Sequence, residues 1–130
     1  MMAVDASAVL AIVLKEPDAA LFESRILAAG GGVISPVNYW EVLVRSWAEF
    51  GESGHSAAEF VLSQLGVDVV GTTAEDARSA AKAFERFGQR GGGRLNLGDC
   101  FAYALAARTD DGLLFKGEDF PRTDVKSALA

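Results

Sequence analysis

The stretch Met1–Leu14, MMAVDASAVLAIVL, decides how the rest of the chain is read. Met2 to Val4 reads as a short strand buried on both faces, since its apolar residues are consecutive rather than alternating. Ala6 to Leu14 reads as a helix. A carboxylate, Asp5, interrupts the most hydrophobic part of the chain at the junction. Asp5 has two readings. It caps the helix, for Asp is a favoured N-cap residue, or it holds a ligand at the carboxyl end of a strand, where open α/β sheets bind. The choice depends on whether other carboxylates meet it.

Further along, the chain alternates short apolar strands with helices. Asp18 opens a helix over 19–29, and Gly30–Gly32 stop it. Val33 and Ile34 read as a second strand. Ser35-Pro36 is a helix start, with Ser at the N-cap and Pro at the first helical position. That helix runs to about Phe50, and Trp40, Leu43, Val44 and Trp47 share one apolar face by the helical period. A loop over 51–54, a helix over 56–65 and a strand over 67–70 follow. Thr73 to Asp76 has capping-box spacing and opens a helix to about Phe87. Gly91–Gly93 read as flexible. Asn96 and Asp99 begin an Ala-rich helix to Arg108, residues 113–115 read as a strand, and Asp124-Val125 read as an edge strand. Strands joined by helices imply crossover connections, a central parallel sheet and helices on both faces. No repeat or long linker divides the chain, so residues 1–130 read as one α/β domain.

Composition narrows the function. Half of the 130 residues are hydrophobic, enough for a core without staples. One cysteine, Cys100, permits no internal disulfide and fits a reducing, cytoplasmic setting. No run approaches the roughly 20 apolar residues of a membrane span, and no basic segment precedes the N-terminal apolar stretch as in a signal peptide. The formal net charge of -6 opposes nucleic-acid binding unless acids are tied up in a site or basic residues cluster. The single histidine, His55, lies in a polar segment read as a surface turn, which excludes a two-histidine nuclease mechanism.

Four acids far apart in sequence converge if the sheet is parallel. Asp5 follows the first strand, and Asp119 follows the strand at 113–115, so both emerge at one edge of the sheet. Glu41 and Asp99 lie in the early turns of helices that begin at that edge. Asp76 has the same local setting as Asp99 but no such company, and is assigned to capping. Like charges at short range repel and raise each other's pKa, so the cluster calls for a cation. With only oxygen ligands on offer, a hard ion is selected, Mg²⁺ or Mn²⁺. Such an ion suits phosphoryl chemistry, activating water and stabilising charge on the phosphate.

The segments VDASAVLAIVLKEP (4–17), ISPVNYWEV (34–42), LNLGDCFAYALA (95–106) and LLFKGEDFPRTDV (113–125) resemble, in order, those of the PIN domain. Within that family they are similar to the VapC toxins of bacterial toxin–antitoxin pairs. The resemblance implies a PIN-like three-layer α/β/α sandwich with a short-stranded, mostly parallel sheet, and a Mg²⁺-dependent ribonuclease. It implies metal-site roles for Asp5, Glu41, Asp99 and an acid of the last motif, with Ser7 orienting the first acid. Many relatives place that last acid two residues before the Asp-Phe pair, where this chain has Gly117. Asp119 is therefore assigned, with Glu118 and Asp124 behind it. The resemblance also implies an RNA substrate such as transfer or ribosomal RNA, a small cognate antitoxin, and a homodimer, for which Leu10, Val13 and Phe22 are the expected exposed contacts.

Arg94, Lys116 and Arg122 flank the acidic motifs and are the candidates for a substrate-binding rim, together with Arg86 and Arg90. Arg45 lies one helical turn beyond Glu41 and is placed to pair with it. Trp40 and Trp47 read as core or dimer contacts ahead of base-stacking groups. Cys100 reads as a buried small hydrophobe. A phosphorelay receiver needs an Asp at the end of a middle strand, and this chain has Ser35-Pro36 and Gly71-Thr72 there. A haloacid-dehalogenase-type phosphatase needs a second Asp where Ser7 stands. The remaining alternative is a non-catalytic PIN-like module that binds a protein or RNA without cutting.

Overall fold

The structure is a computed structural model and describes residues 1–130. Four strands, β1 (Ala3–Val4), β2 (Gly32–Ile34), β3 (Val67–Val69) and β4 (Leu113–Leu114), form one parallel sheet in the order β3-β2-β1-β4. The helices are α1 (Ala6–Val13), α2 (Ala19–Ala29), α3 (Pro36–Phe50), α4 (Glu52–Leu65), α5 (Ala74–Phe87) and α6 (Leu97–Ala107), with a 3-10 turn at Gln89–Gly91. The chain steps outward from β1 to β3 and then crosses to β4 on the other side of β1. This makes the β1/β4 boundary the point where strand order reverses, the place where such sheets bind ligands.

The side-chain period of two in a strand divides the core into two layers. Met2, Val4, Ile34 and Leu114 pack with α1, α2 and α4 on one face. Ala3, Val33 and Leu113 pack with α5 and α6 on the other. Both faces of β1, β2 and β4 are thus covered, as their unbroken apolar sequence requires, whereas the edge strand β3 buries Val67 and leaves Asp68 and Val69 exposed. This is the PIN-like α/β/α sandwich that the sequence resemblance implies.

The structure corrects several local expectations. The loop at 51–54 shrinks to Gly51, because α4 begins at Glu52, and His55 is an exposed residue of that helix rather than of a turn. Asp124-Val125 form no strand. The tail instead makes a single parallel bridge from Ser127 to Leu113, closed by Leu113 N–H to the Lys126 carbonyl and Ala128 N–H to the Leu113 carbonyl. Leu10, Val13 and Phe22 are not exposed contacts: they lie in the core of the first layer.

The tryptophan face of α3 also turns out differently. Its buried residues are Asn38, Val42 and Ser46, whereas Trp40 and Trp47 are 63% and 54% exposed. The helical period correctly groups the tryptophans on one face, but it cannot say which face meets the sheet. Here small and polar side chains let α3 approach α4 and α6 closely, and the bulky rings are left outside. No helix is long and apolar enough to cross a membrane.

Candidate active site

Asp5 takes the capping role and stands at the strand end that its ligand-holding reading requires. It ends β1 with extended backbone (φ −81°, ψ 153°) and caps α1, accepting from the Ser7 amide at 3.0 Å and the Ser7 hydroxyl at 2.6 Å. Both bonds fall on Oδ2. The Ser7 hydroxyl also accepts from the Lys116 amide at 2.9 Å. Ser7 therefore ties the start of α1 to the segment leaving β4, and fixes Asp5 at the junction of the two strands.

Glu41 is held by a residue that the sequence reading missed. Asn38 is fully buried, and its side-chain amide donates to Glu41 Oε1 at 2.8 Å and to the Gly98 carbonyl at 2.9 Å. Its carbonyl oxygen accepts from the Ser35 hydroxyl at 2.6 Å, and its backbone N–H donates back to Ser35 Oγ at 3.1 Å. The spacing Ser35, Asn38, Glu41 carries the signal, because residues three apart share a helix face. Asn38→Ala strips the partner from a buried carbonyl and from a half-buried carboxylate. It is expected to cost about 1–3 kcal/mol in urea-denaturation stability.

Gly98 brings α6 against the same acid. A Cβ built at Gly98 falls 2.3 Å from Glu41 Oε1 and 2.6 Å from its Cδ. Gly98→Ala is thus expected to displace the Glu41 carboxylate. Helix propensity alone favours Ala over Gly by about 1 kcal/mol. The thermal midpoint should accordingly change little while any activity of the site falls at least tenfold.

Asp99 and Asp76 occupy the same local motif with opposite electrostatics. Each closes a capping box: Asp76 with Thr73, and Asp99 with Asn96, whose amide donates to Asp99 Oδ2 at 3.1 Å. Burial pushes the Asp76 carboxyl up, but the Thr73 amide and the Arg108 guanidinium, at 2.8 and 3.2 Å, hold it below the usual carboxylate range. Asp99 has no cation. Burial, with the nearby Asp5 and Asp119 carboxylates, raises its pKa to about 7. Burial likewise raises Asp5, and raises Glu41 with help from the Asp5 charge.

Asp119 joins the group from the β4 side. Its neighbour Phe120 is buried in the second layer and packs on Phe115, with ring centroids 4.9 Å apart. Asp5, Glu41, Asp99 and Asp119 all line one cavity of about 580 Å³. The other acids considered for the last position do not. Glu118 is exposed, and Asp124 is held elsewhere by Tyr103 and by Arg86 at 3.3 Å. At Gly117 φ is +110°, a backbone conformation L side chains rarely adopt.

The cationic candidates scatter. Lys116 lines the cavity, but its ammonium is bound to Glu16 at 3.2 Å and Asp18 at 3.0 Å. Arg94 lies in an adjoining cleft that shares Asn96 and Asp119 with the cavity, while Arg122 is exposed and lines neither. Arg86 is engaged by Asp124 and lies over the Phe87 ring. Arg45 lines the cavity but forms no ion pair with Glu41; its charge acts on that acid from a distance.

The donor set fits a hard divalent ion. It comprises four carboxylates on one cavity, none paired to Lys or Arg, and three of them pushed up in pKa. In those three, the protein's hydrogen bonds fall on one oxygen only, Oδ2 of Asp5, Oε1 of Glu41 and Oδ2 of Asp99. No three acids close on one point as a preformed cage. Mg²⁺ does not require one, since it keeps several waters and takes one or two carboxylates directly.

Comparison with known proteins places this geometry in a family. Residues 2–126 match the PIN domain, and the chain belongs to the PIN-domain family. Within it, the chain groups with the VapC proteins. It is 39% identical over 125 residues to Ribonuclease VapC30 of Mycobacterium tuberculosis, covering 95% of each chain. It is equally identical over 125 residues to Ribonuclease VapC of Mycolicibacterium smegmatis, covering 95% of this chain and 97% of that one. Ribonuclease VapC42 of M. tuberculosis is 35% identical over 129 residues, with 98% of each chain covered.

Proposed function

We propose that this protein is a Mg²⁺- or Mn²⁺-dependent ribonuclease of the VapC type, hydrolysing RNA phosphodiester bonds with water. The observation that carries the reading is the cavity at the β1/β4 boundary, where four carboxylates meet and none is paired to the Lys or Arg beside it. Uncompensated carboxylates this buried are unfavourable unless a ligand of opposite charge is part of the working protein. The VapC relatives, which are named ribonucleases, supply the substrate class.

The chain's own residues divide the labour. Asp5, Glu41, Asp99 and Asp119 provide the negative charge that binds the ion. Ser7, Asn38 and Asn96 fix the orientation of three of those carboxylates. With its pKa raised to about 7, Asp99 is about half protonated in the metal-free site at neutral pH, and it would have to be deprotonated to hold the ion. The ion, when bound, supplies positive charge for the phosphate oxygens and a more acidic water. No histidine is near enough to serve as a base, because the only one, His55, is on the exposed side of α4.

By the same reading the protein is a toxin restrained by a cognate antitoxin, acts in the cytoplasm on transfer or ribosomal RNA, and forms a homodimer. An acidic cavity without its metal attracts a basic side chain, which gives an antitoxin segment an electrostatic handle. The test is incubation of purified chain, free of antitoxin, with total cellular RNA in Mg²⁺ and then in EDTA, beside Asp5→Ala and Asp99→Ala. Cutting that needs the metal and both acids is expected. Failure of metal-loaded wild type to cut anything the variants spare would overturn the enzyme and leave a docking module for a basic partner.

A further inference from the structure

We infer that Trp40 is a stacking platform for an RNA base beside the scissile phosphate, with Arg45 holding a phosphate next to that base. This deepens the ribonuclease reading and rests on it. Trp40 is 63% exposed, yet it is a wall of the same cavity as the four acids. It is adjacent in sequence to Glu41, and Arg45 follows one helical turn after that acid on α3.

A phosphodiester approaching four carboxylates needs local positive charge, the more so on a chain of net charge -6. Only two cations line the cavity, Lys116 and Arg45. The ammonium of Lys116 is already held by Glu16 and Asp18, whereas Arg45 is exposed and has no carboxylate within ion-pair distance. A planar cation and an indole on one rim are the two elements that hold single strands, since a stacking face and a backbone contact recognise any unpaired base. A paired base inside a duplex has no free face to offer. Trp47 is exposed on the same side of α3 but does not line the cavity, so it separates the base platform from a general apolar stripe.

The chain's two tryptophans make the test direct. In Trp47→Phe, Trp40 is the sole indole. A hexauridylate added in Ca²⁺ is expected to quench its fluorescence, and a phosphate chain of equal length lacking bases is expected not to. Trp40→Ala should weaken hexauridylate binding about tenfold or more and, in Mg²⁺, raise KM more than it lowers kcat. Trp40→Phe should restore most of the loss, and Trp47→Ala should bind as wild type. Equal quenching by the base-free chain, or unchanged binding and KM in Trp40→Ala, would overturn the proposal. So would a Trp40→Ala protein that loses antitoxin binding or self-association but binds hexauridylate normally, which would make Trp40 a protein contact. Quenching is read on uncut oligonucleotide, so it decides the stacking claim independently of whether wild type cleaves RNA.

Discussion

Asp99→Asn is expected to lose RNA cleavage by roughly 10²–10³-fold while raising the melting temperature of the metal-free protein. The loss follows from the charge removed. A bound ion contributes several kcal/mol to a phosphoryl transition state, and each 1.36 kcal/mol is tenfold in rate. The gain follows from the local structure. Asn at position 99 keeps an oxygen for the Asn96 amide, so the capping box survives. It removes a carboxylate that burial and the Asp5 and Asp119 charges hold unfavourably. At pH 8 the gain should reach about 1–2 kcal/mol, a few degrees in a chain of this size. Asp76→Asn is the control with the opposite sign. It removes a carboxylate that Arg108 and the Thr73 amide stabilise, and should lower the melting temperature while sparing cleavage. Thermal melts in EDTA and cleavage assays in Mg²⁺ on the same preparations check both halves.

The second large effect is a pH dependence that disappears on adding metal. Asp99 has a folded pKa of about 7 against a reference of 3.8, and Asp5 and Glu41 are also raised. A group with a raised folded pKa binds more protons folded than unfolded. Its contribution is fully present below the unfolded value and is lost as pH rises through the folded value. Metal-free protein should therefore lose stability between about pH 4 and pH 7. The slope from one such proton is at most about 1.4 kcal/mol per pH unit. Divalent-ion affinity should climb over the same window, because carboxylates must be deprotonated to bind. In saturating Mg²⁺ the decline should vanish. Asp76 works in the other direction, its lowered pKa contributing above the reference value and fading only in stronger acid. Melting curves from about pH 2.5 to 8, with EDTA and with Mg²⁺, separate these contributions.

The fold was legible because β1, β2 and β4 are short runs without charge, bounded by turn and cap residues and separated by helical segments, a pattern that fits a sheet covered on both faces. Asp5, Asp99 and Asp119 could be brought together from topology alone, since parallel strands share one carboxyl edge. Asn38 was not legible as a site residue. A buried amide looks like any helix polar residue until its partners, Glu41 and the Gly98 carbonyl, approach from elsewhere in the chain. Gly98 escaped for the same reason: its lack of a side chain matters only against the Glu41 carboxylate. The tryptophans read as core or dimer contacts, and their exposure removes the core half of that reading. Helical periodicity groups residues on a face but does not orient that face, and α3 turns Asn38, Val42 and Ser46 inward instead. The tail pairing at Ser127 lay beyond the reach of local pattern because one bridge leaves no periodicity to read.

Calorimetric titration of Mn²⁺ into the metal-free chain at pH 7, repeated in two buffers of different ionisation enthalpy, tests the central claim most directly. Saturable binding with proton release is expected, with both the binding and the release sharply reduced in Asp5→Asn and Asp99→Asn. No saturable heat, or binding that survives unchanged in both variants, would contradict the assignment of this cavity as a divalent-metal centre.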